Sequence, residues 1–136
     1  MSNSIATGVA YADPEFTTCY ATQEIGYSTA AQGTVTQATD KGTGVTLNKS
    51  AGRITMNNAA LAGGAAVSFI LTNSLISIND TIIVCVSSNT TGSALGAYTT
   101  YVSYLAAGSA LITLRNLSGT SYSEAVIINY AVIHGQ

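Results

Sequence analysis

Short runs in which apolar residues alternate with threonine limit the fold classes open to this chain of 136 residues. Residues 33–58 hold three such runs, around Val35, over 45–47 and over 54–56. A period of two places one set of side chains on each face of a strand, and Val, Ile and Thr suit a pleated, half-buried surface. We therefore predict three strands joined by two tight turns. This stretch contains no nucleophile, acid pair or metal-binding cluster.

Five further strands are predicted from similar runs separated by Asn, Asp, Gly, Ser and Thr, which favour turns. They cover residues 66–73, 81–88, 97–105, 109–117 and 125–134. About eight short strands without intervening helices indicate a sandwich or barrel, and eight is the strand count of a jelly roll. The prediction is an all-β, antiparallel, jelly-roll-like sandwich over residues 33–136.

Three local features refine this prediction. The apolar runs at 82–86 and 125–128 predict central strands covered on both faces, by the second sheet and by another subunit. Cys85 within the first run is predicted to be a buried thiol, and with Cys19 it is too isolated for a disulfide framework. The Ala-rich residues 57–64 are compatible with one helical turn ended by glycine.

Low charge is the unusual feature of the composition. Only 7 % of residues are charged, against roughly 25 % in ordinary soluble domains. Since charge keeps proteins dispersed, we expect much of the surface to be buried in an assembly. The alternative is a Thr-rich β protein of the kind common outside cells.

Several classes of partner and location are disfavoured by the same composition. The net charge is −2 and the four basic residues are scattered, whereas nucleic-acid binding needs a clustered basic footprint. The apolar runs are far shorter than the roughly 20 residues that cross a bilayer. Because the N-terminus lacks a basic start and an apolar stretch, it does not resemble a secretory signal. We expect a chain that is made in the cytoplasm and stays soluble or assembles there.

Residues 1–32 differ from the rest of the chain. They contain aromatic residues without alternation, the only proline and three of the six acids. A segment of this kind is typical of a loose tail or of an arm that orders on a partner. We predict an arm that docks on a partner protein or a sister subunit. Its proposed docking residues are Tyr11, Pro14, Phe16, Tyr20 and Tyr27.

No residue pattern predicts catalysis, a cofactor or a metal site. His134 is the single histidine, and both a metal site and a catalytic triad need several partners; we interpret it as an exposed residue at a strand end. Asp40 and Asp80 lie in turn contexts. Glu124 and Arg115 are predicted to form a structural ion pair between neighbouring strands. We therefore predict a protein that is not an enzyme.

Tyrosines near the predicted sixth strand are candidates for subunit contact. Tyr98 and Tyr104 share a strand parity, and Tyr101 has the opposite one. Tyrosine is enriched where a partner partly buries a surface, because its ring is apolar and its hydroxyl remains satisfiable. Core filling on one face is the simpler alternative. Sugar binding also uses aromatic residues, but this chain has no Trp.

The blocks TQAT-K-TGVTLNK, ITMNNAAL and RNLSG-S-SEAV, within residues 33–135, resemble a module of tailed bacteriophages and prophages. That module occurs in head-fibre and capsid-decoration (cement) proteins. The resemblance implies a non-enzymatic virion protein, a homotrimeric β module on the capsid exterior that binds the major capsid protein or another virion protein. The alternative is a tail-fibre or spike module that recognises host-surface glycans. Neither nucleic acid nor a membrane is an expected partner.

Overall fold

Eight strands in two packed sheets form the body of the protein, which confirms the predicted all-β sandwich. The computed structural model describes residues 17–92, residue 94 and residues 96–135. Sheet I has the strand order β1-β3-β8-β5, and sheet II has the order β2-β4-β7-β6. The strands are β1 (Gln32–Thr36), β2 (Val45–Thr46), β3 (Ala51–Thr55), β4 (Ala66–Thr72), β5 (Thr81–Asn89), β6 (Tyr98–Ala106), β7 (Ser109–Asn116) and β8 (Val126–Ile133).

The core lies between the sheets and is built from the inward-facing half of each alternating run. In β4, Phe69 and Leu71 are buried while Ser68, Ile70 and Thr72 are exposed. The same alternation buries one side chain in two along most strands. Residues buried to 1 % exposure or less include Ile54, Met56, Phe69, Leu71, Ala110, Ile112, Leu114, Val126, Ile128 and Val132.

Strand direction at two edges differs from the prediction. β1 pairs with β3 in parallel, as β2 does with β4, while the other pairs are antiparallel. Four of the six strand pairings are thus antiparallel, as predicted, and the two edge pairings are the exceptions. A jelly roll consists of antiparallel Greek keys, so the parallel edges also depart from jelly-roll pairing, although strand number and layering agree.

The chain from β1 to β3 does not form the predicted row of three strands with tight turns. β1 and β3 lie side by side in sheet I, whereas β2 belongs to sheet II. The chain therefore crosses from one sheet to the other and back. Two strands that follow each other in this way through the opposite sheet end up parallel, because each crossing reverses the direction of the chain.

Three local predictions are also corrected. Residues 57–64 contain no helical turn, and Leu61 instead forms an isolated antiparallel bridge to Tyr122. β5 is an edge strand, and its outward residues Ile83 and Cys85 are exposed. The predicted buried thiol at Cys85 is therefore wrong. By contrast, β8 is central, and residues 126–128 are buried on both faces.

The described part of the N-terminal arm lies outside the sandwich. Residues 17–30 are all exposed, and a short 3-10 turn at Thr29–Ala31 leads into β1. No helical structure among the described residues has the length and apolar character that a membrane span requires.

Candidate interaction surfaces

The base of the arm is fixed to sheet I by hydrogen bonds. The Tyr27 hydroxyl donates to the backbone oxygen of Val132 in β8, and Gln32 Nε2 donates to Tyr27 O at 2.8 Å. Lys49 Nζ donates to Ala30 O at 2.8 Å. Because these contacts stop at residue 27, the structure separates an anchored base from an outlying segment, residues 17–26.

The outlying segment carries large apolar side chains in solvent. Tyr20 is 90 % exposed and Ile25 is 86 % exposed. Single exposed apolar side chains are ordinary in folded proteins, and here two of them lie on one short segment. Of the predicted docking residues, Tyr20 and Tyr27 are described, whereas Tyr11, Pro14 and Phe16 lie outside the described residues.

A shallow groove separates the arm base from the outer face of sheet I. Its volume is about 540 Å³. The wall on the arm side is formed by Tyr27 and Thr29, and the floor by outward residues of β1, β3 and β8, including Thr34, Arg53 and Asn129. The floor is thus polar and carries one positive charge. Hydroxyl, amide and guanidinium groups of this kind can hydrogen-bond a polar ligand.

The three tyrosines of β6 do not share one environment. Tyr98 is 9 % exposed and belongs to the core, where its ring meets Tyr122 edge to face at 6.4 Å. Its assignment to a subunit interface is therefore corrected. Tyr101 and Tyr104 are 47 % and 66 % exposed, so both remain available to a partner.

A β-bulge explains why the predicted parity of these residues is wrong. The register of β6 with β7 shifts between Val102 and Tyr104. One extra residue in a strand reverses the alternation beyond it. Tyr101 and Tyr104, three positions apart, consequently lie on the same outer face of sheet II.

Two apolar residues that sequence reasoning did not select lie on this face beside the tyrosines. Ile70 in β4 pairs with Leu111 in β7, which in turn pairs with Tyr104 in β6. Ile70 is 51 % exposed. The signal in the sequence is an isoleucine at an outward position of β4, among Ala66, Ser68 and Thr72. We call the surface formed by Ile70, Tyr101, Tyr104 and Leu111 the sheet II face.

Hydroxyl groups in the middle of the sheet II face bond mainly to one another. Ser68 Oγ and Ser103 Oγ each lie 2.8 Å from Thr113 Oγ1. Ser103 Oγ also donates to Leu111 O at 3.2 Å. Thr113 is only 4 % exposed and bonds to both of the exposed serine hydroxyls, so a partner covering them would leave few polar groups unsatisfied.

A second unpredicted feature is a buried polar cluster around Lys41, which is 3 % exposed. Its Nζ donates to Asn57 O at 2.5 Å and to the backbone oxygen of Glu124 at 2.7 Å. Gln37 Nε2 donates to Lys41 O and to Thr43 O. These bonds tie the β1–β2 loop to the segments after β3 and before β8, so the cluster has a structural role.

Glu124 lies at this cluster and does not pair with Arg115. It is 5 % exposed, and its Oε1 atom is buried without a hydrogen-bond partner. Burial lowers the pKa of Lys41, and the negative charge of Glu124 opposes that shift. Burial, followed by the Glu124 charge, raises the pKa of Tyr98 to about 12. Arg115 is exposed on sheet II, and the predicted Arg115–Glu124 ion pair is wrong.

The buried side chain of Asp80, before β5, contacts the exposed side chain of His134, after β8. Asp80 accepts hydrogen bonds from Ser77 N, Ser77 Oγ and Gly135 N, and His134 Nδ1 lies 3.2 Å from its Oδ2. The backbone bond from Ser77 is the largest cause that lowers the pKa of Asp80 to about 2. His134 is 51 % exposed at its side chain, which confirms the predicted exposed residue at a strand end.

Asp40 also serves a turn, as predicted: its Oδ1 accepts bonds from Gly42 N and Thr43 Oγ1. Within residues 17–92, 94 and 96–135, no three His, Cys, Asp or Glu side chains group together in a way that would hold a metal ion. The described residues form three candidate interaction surfaces: the outlying arm, the groove on sheet I and the sheet II face.

Comparisons of the chain with protein-family models, with curated proteins and with solved structures found no match.

Proposed function

We propose that this chain is a structural virion protein, a homotrimeric capsid-decoration or head-fibre subunit that binds and stabilises the outer capsid surface. Its location would be the exterior of the virion, after assembly in the host cytoplasm. The proposal combines the sequence resemblance with one structural observation. That observation is the arm, which is anchored by Tyr27 and extends Tyr20 and Ile25 into solvent at 90 % and 86 % exposure.

Exposed apolar side chains on an arm suit docking on a large partner. Each gains from burial on a second surface, at roughly 25 cal/mol per Å² of apolar area. An arm that binds only the assembled shell stabilises the shell by mass action. The low charge of the chain, 7 % of residues, is consistent with a component whose surface is partly covered in a particle.

Particle binding by arm variants tests this proposal. Purified particles that lack the protein are titrated with the native chain, with a chain lacking residues 1–26 and with the double variant Tyr20→Ser, Ile25→Ser. We expect both changed proteins to lose binding. A matched control, Thr18→Ser with Thr22→Ser, alters two exposed arm residues without removing large apolar area and should bind normally.

Retention of Tyr27 in the truncated chain keeps the hydrogen bond to Val132, so the sandwich should stay folded. Circular dichroism and thermal unfolding check this point. Unchanged particle affinity of the truncated chain would contradict docking through the arm.

The polar groove on sheet I favours a second candidate function, recognition of a host-surface glycan. Its floor offers the Arg53 guanidinium, the Asn129 amide and the Thr34 hydroxyl. A glycan array would measure binding, with Arg53→Gln as the groove variant and Arg115→Gln as the control at an exposed arginine on the other sheet. Absence of any array signal for the native chain would contradict this function.

A further inference from the structure

The sheet II face has the character of a protein-binding surface. Its row of Ile70, Leu111 and Tyr104 crosses three strands, with Tyr101 beside it. Ile70, Tyr101 and Tyr104 expose 51 %, 47 % and 66 % of their surface. Because the neighbouring hydroxyls are already bonded to one another, covering this face removes apolar area from water at little polar cost.

Charge separates the arm from the sandwich. Residues 1–32 contain three acids and no basic residue, whereas residues 33–136 contain four basic residues against three acids. The arm therefore carries −3 and the sandwich +1. Among the described arm residues the acid is Glu24, which is exposed, and Arg115 is exposed on the outer side of β7. Opposite charge on two exposed surfaces favours their association.

The spacing of residues on the arm matches the spacing on β7. Four positions separate Tyr20 from Glu24, and four separate Leu111 from Arg115. In an extended chain residues four apart point to the same side. An extended arm aligned along β7 thus places Tyr20 on the apolar row when Glu24 lies at Arg115. Ile25 then points to the other side, away from β7.

The geometry of the arm favours binding to the sheet II face of a neighbouring molecule and not to that of its own chain. The arm leaves the body at Tyr27, beside β8 of sheet I, whereas the sheet II face is on the other side of the sandwich. Ten extended residues, 17–26, span at most roughly 33–36 Å. A body made of residues 33–136 has an expected radius of gyration of about 13 Å, so a path around it from sheet I to its own sheet II face is longer than this reach.

We propose that residues 17–26 of one copy bind the sheet II face of a second copy, with Tyr20 on the row of Ile70, Leu111 and Tyr104 and Glu24 beside Arg115. This inference rests on the homo-oligomer of the proposed function and identifies its interface. Exchange of arms in one direction around a ring closes a cyclic oligomer. Ile25, on the opposite side of the arm, is then the side chain that docks on the particle, while Tyr20 supports particle binding by holding the oligomer together.

Cysteine cross-linking tests the contact directly. In a background of Cys19→Ser and Cys85→Ser, the chain receives Glu24→Cys together with Arg115→Cys. The matched control combines Glu24→Cys with Arg53→Cys, since Arg53 is the exposed arginine of sheet I. After mild oxidation, we expect the first protein to migrate on a non-reducing gel as covalent oligomers and the control to remain a single chain.

Three gel results would overturn the proposal. They are cross-linking through Arg53→Cys, no cross-link in either protein, and a single-chain band of the first protein without free thiols. The last result would mean that the arm binds its own body.

Sedimentation of the native chain and of Tyr104→Ser adds a second readout. Tyr104 is exposed, so its loss should leave the fold intact, and removal of an interface anchor raises the dissociation constant about thirtyfold or more. Thr34→Ser, on the exposed side of β1, serves as the control and should associate normally. A native chain that sediments as a monomer would overturn the proposal.

The same variants separate this inference from the proposed function. If Tyr104→Ser remains oligomeric but no longer binds particles, the face serves the capsid and the arm-exchange proposal is wrong, while the proposed function stands. If Tyr104→Ser dissociates but the chain lacking residues 1–26 stays oligomeric, two sheet II faces pack together and the proposal is equally wrong. Loss of association in both variants supports it.

Discussion

Two buried tyrosines illustrate how the environment of a single hydroxyl determines its contribution to stability. Tyr130 is 3 % exposed, and its hydroxyl lies 3.1 Å from Leu47 O and 3.0 Å from Lys49 O. The Tyr98 hydroxyl is buried near Glu124 but makes no hydrogen bond of normal geometry. Removing the Tyr130 hydroxyl takes a hydrogen-bond donor away from two backbone carbonyl groups. Removing the Tyr98 hydroxyl eliminates a buried polar group that makes no such hydrogen bond.

We therefore predict opposite results for the same substitution. Tyr130→Phe should lower the free energy of unfolding by about 1–3 kcal/mol, and Tyr98→Phe should leave it unchanged or raise it. Urea denaturation at neutral pH measures both values, and each variant is the control for the other. Equal destabilisation by the two changes would contradict the hydrogen-bond assignment.

The environment of Asp80 predicts how the stability of the fold depends on pH in acid. The native fold lowers the pKa of its carboxyl group to about 2 from a usual value of 3.8, chiefly through the bond from Ser77 N. Because the folded state holds this proton less tightly than the unfolded state, the contribution of Asp80 is present above pH 3.8 and is lost as the pH falls through about 2.

Asp80→Asn should consequently be less stable than the native chain at neutral pH, and its stability should change less between pH 3.8 and about 2. Urea unfolding at a series of pH values measures, for each protein, the slope of the free energy of unfolding against pH. Parallel slopes for the two proteins would contradict the prediction. His134→Gln, measured in the same series, separates the share of the imidazole from that of the backbone bonds.

Single residues also show what the sequence could not reveal. Lys41 lies in a loop rich in turn formers, where a charged residue is expected in solvent. It is buried because Asn57 O and Glu124 O accept its hydrogen bonds, and these acceptors come from distant parts of the chain. Sequence patterns involve residues that are close together along the chain, so they do not predict a contact between distant segments.

Strands were predictable where one long run forms each of them. The runs at 66–73, 81–88, 97–105, 109–117 and 125–134 coincide with β4 to β8 to within about one or two residues at each end, which is the usual uncertainty of strand and helix boundaries. Pairing direction was not predictable, because the alternation of a short run is the same in a parallel and an antiparallel pair. The bulge near Ser103 was equally invisible, since no residue type marks it.

Close approach of β3 to its neighbours provides a test of the packing between elements. A Cβ atom on Gly52 would lie 2.6 Å from Leu47 Cδ2 and 2.6 Å from Tyr130 Cε1. These side chains fill the space between β3, β8 and the segment after β2. Glycine at this position is therefore required by the closeness of the surrounding side chains.

We predict that Gly52→Ala lowers the free energy of unfolding by about 1–3 kcal/mol through overpacking. Gly119→Ala is the matched control, because a Cβ there meets nothing within 4 Å, and it should change stability by less than about 0.5 kcal/mol. Chemical denaturation of both variants decides the matter. A neutral Gly52→Ala would show that Leu47 and Tyr130 move aside without cost.

In the whole molecule, the two faces of the sandwich differ in chemistry. The outer side of sheet I carries Arg53, Asn129 and Thr34 on the floor of a groove, while the sheet II face carries Tyr101 and Tyr104 beside hydroxyls that bond to one another. Sheet I also exposes Ile83 on β5 and Ile133 on β8, and sheet II exposes Arg115 beside its apolar row, so each face combines polar and apolar groups. Two faces with different side chains suit a subunit that has two different neighbours.

Topology and proline content together predict the folding kinetics. Strands that pair across the chain, such as β3 with β8 and β4 with β7, close long loops and place folding in the range of about milliseconds to seconds. Proline isomerisation adds a phase of roughly 10–100 s where a proline must adopt one isomer. The only proline is Pro14, and the sandwich strands all begin after it.

Refolding of the chain lacking residues 1–26 should therefore show no phase on the isomerisation timescale, and the full chain should form its sandwich at the same rate. If arms are exchanged between copies, only the full chain adds a later step whose rate increases with protein concentration. Stopped-flow tyrosine fluorescence at two or more protein concentrations measures both properties. A concentration-independent slow phase in the truncated chain would contradict the prediction, because no proline remains to cause it.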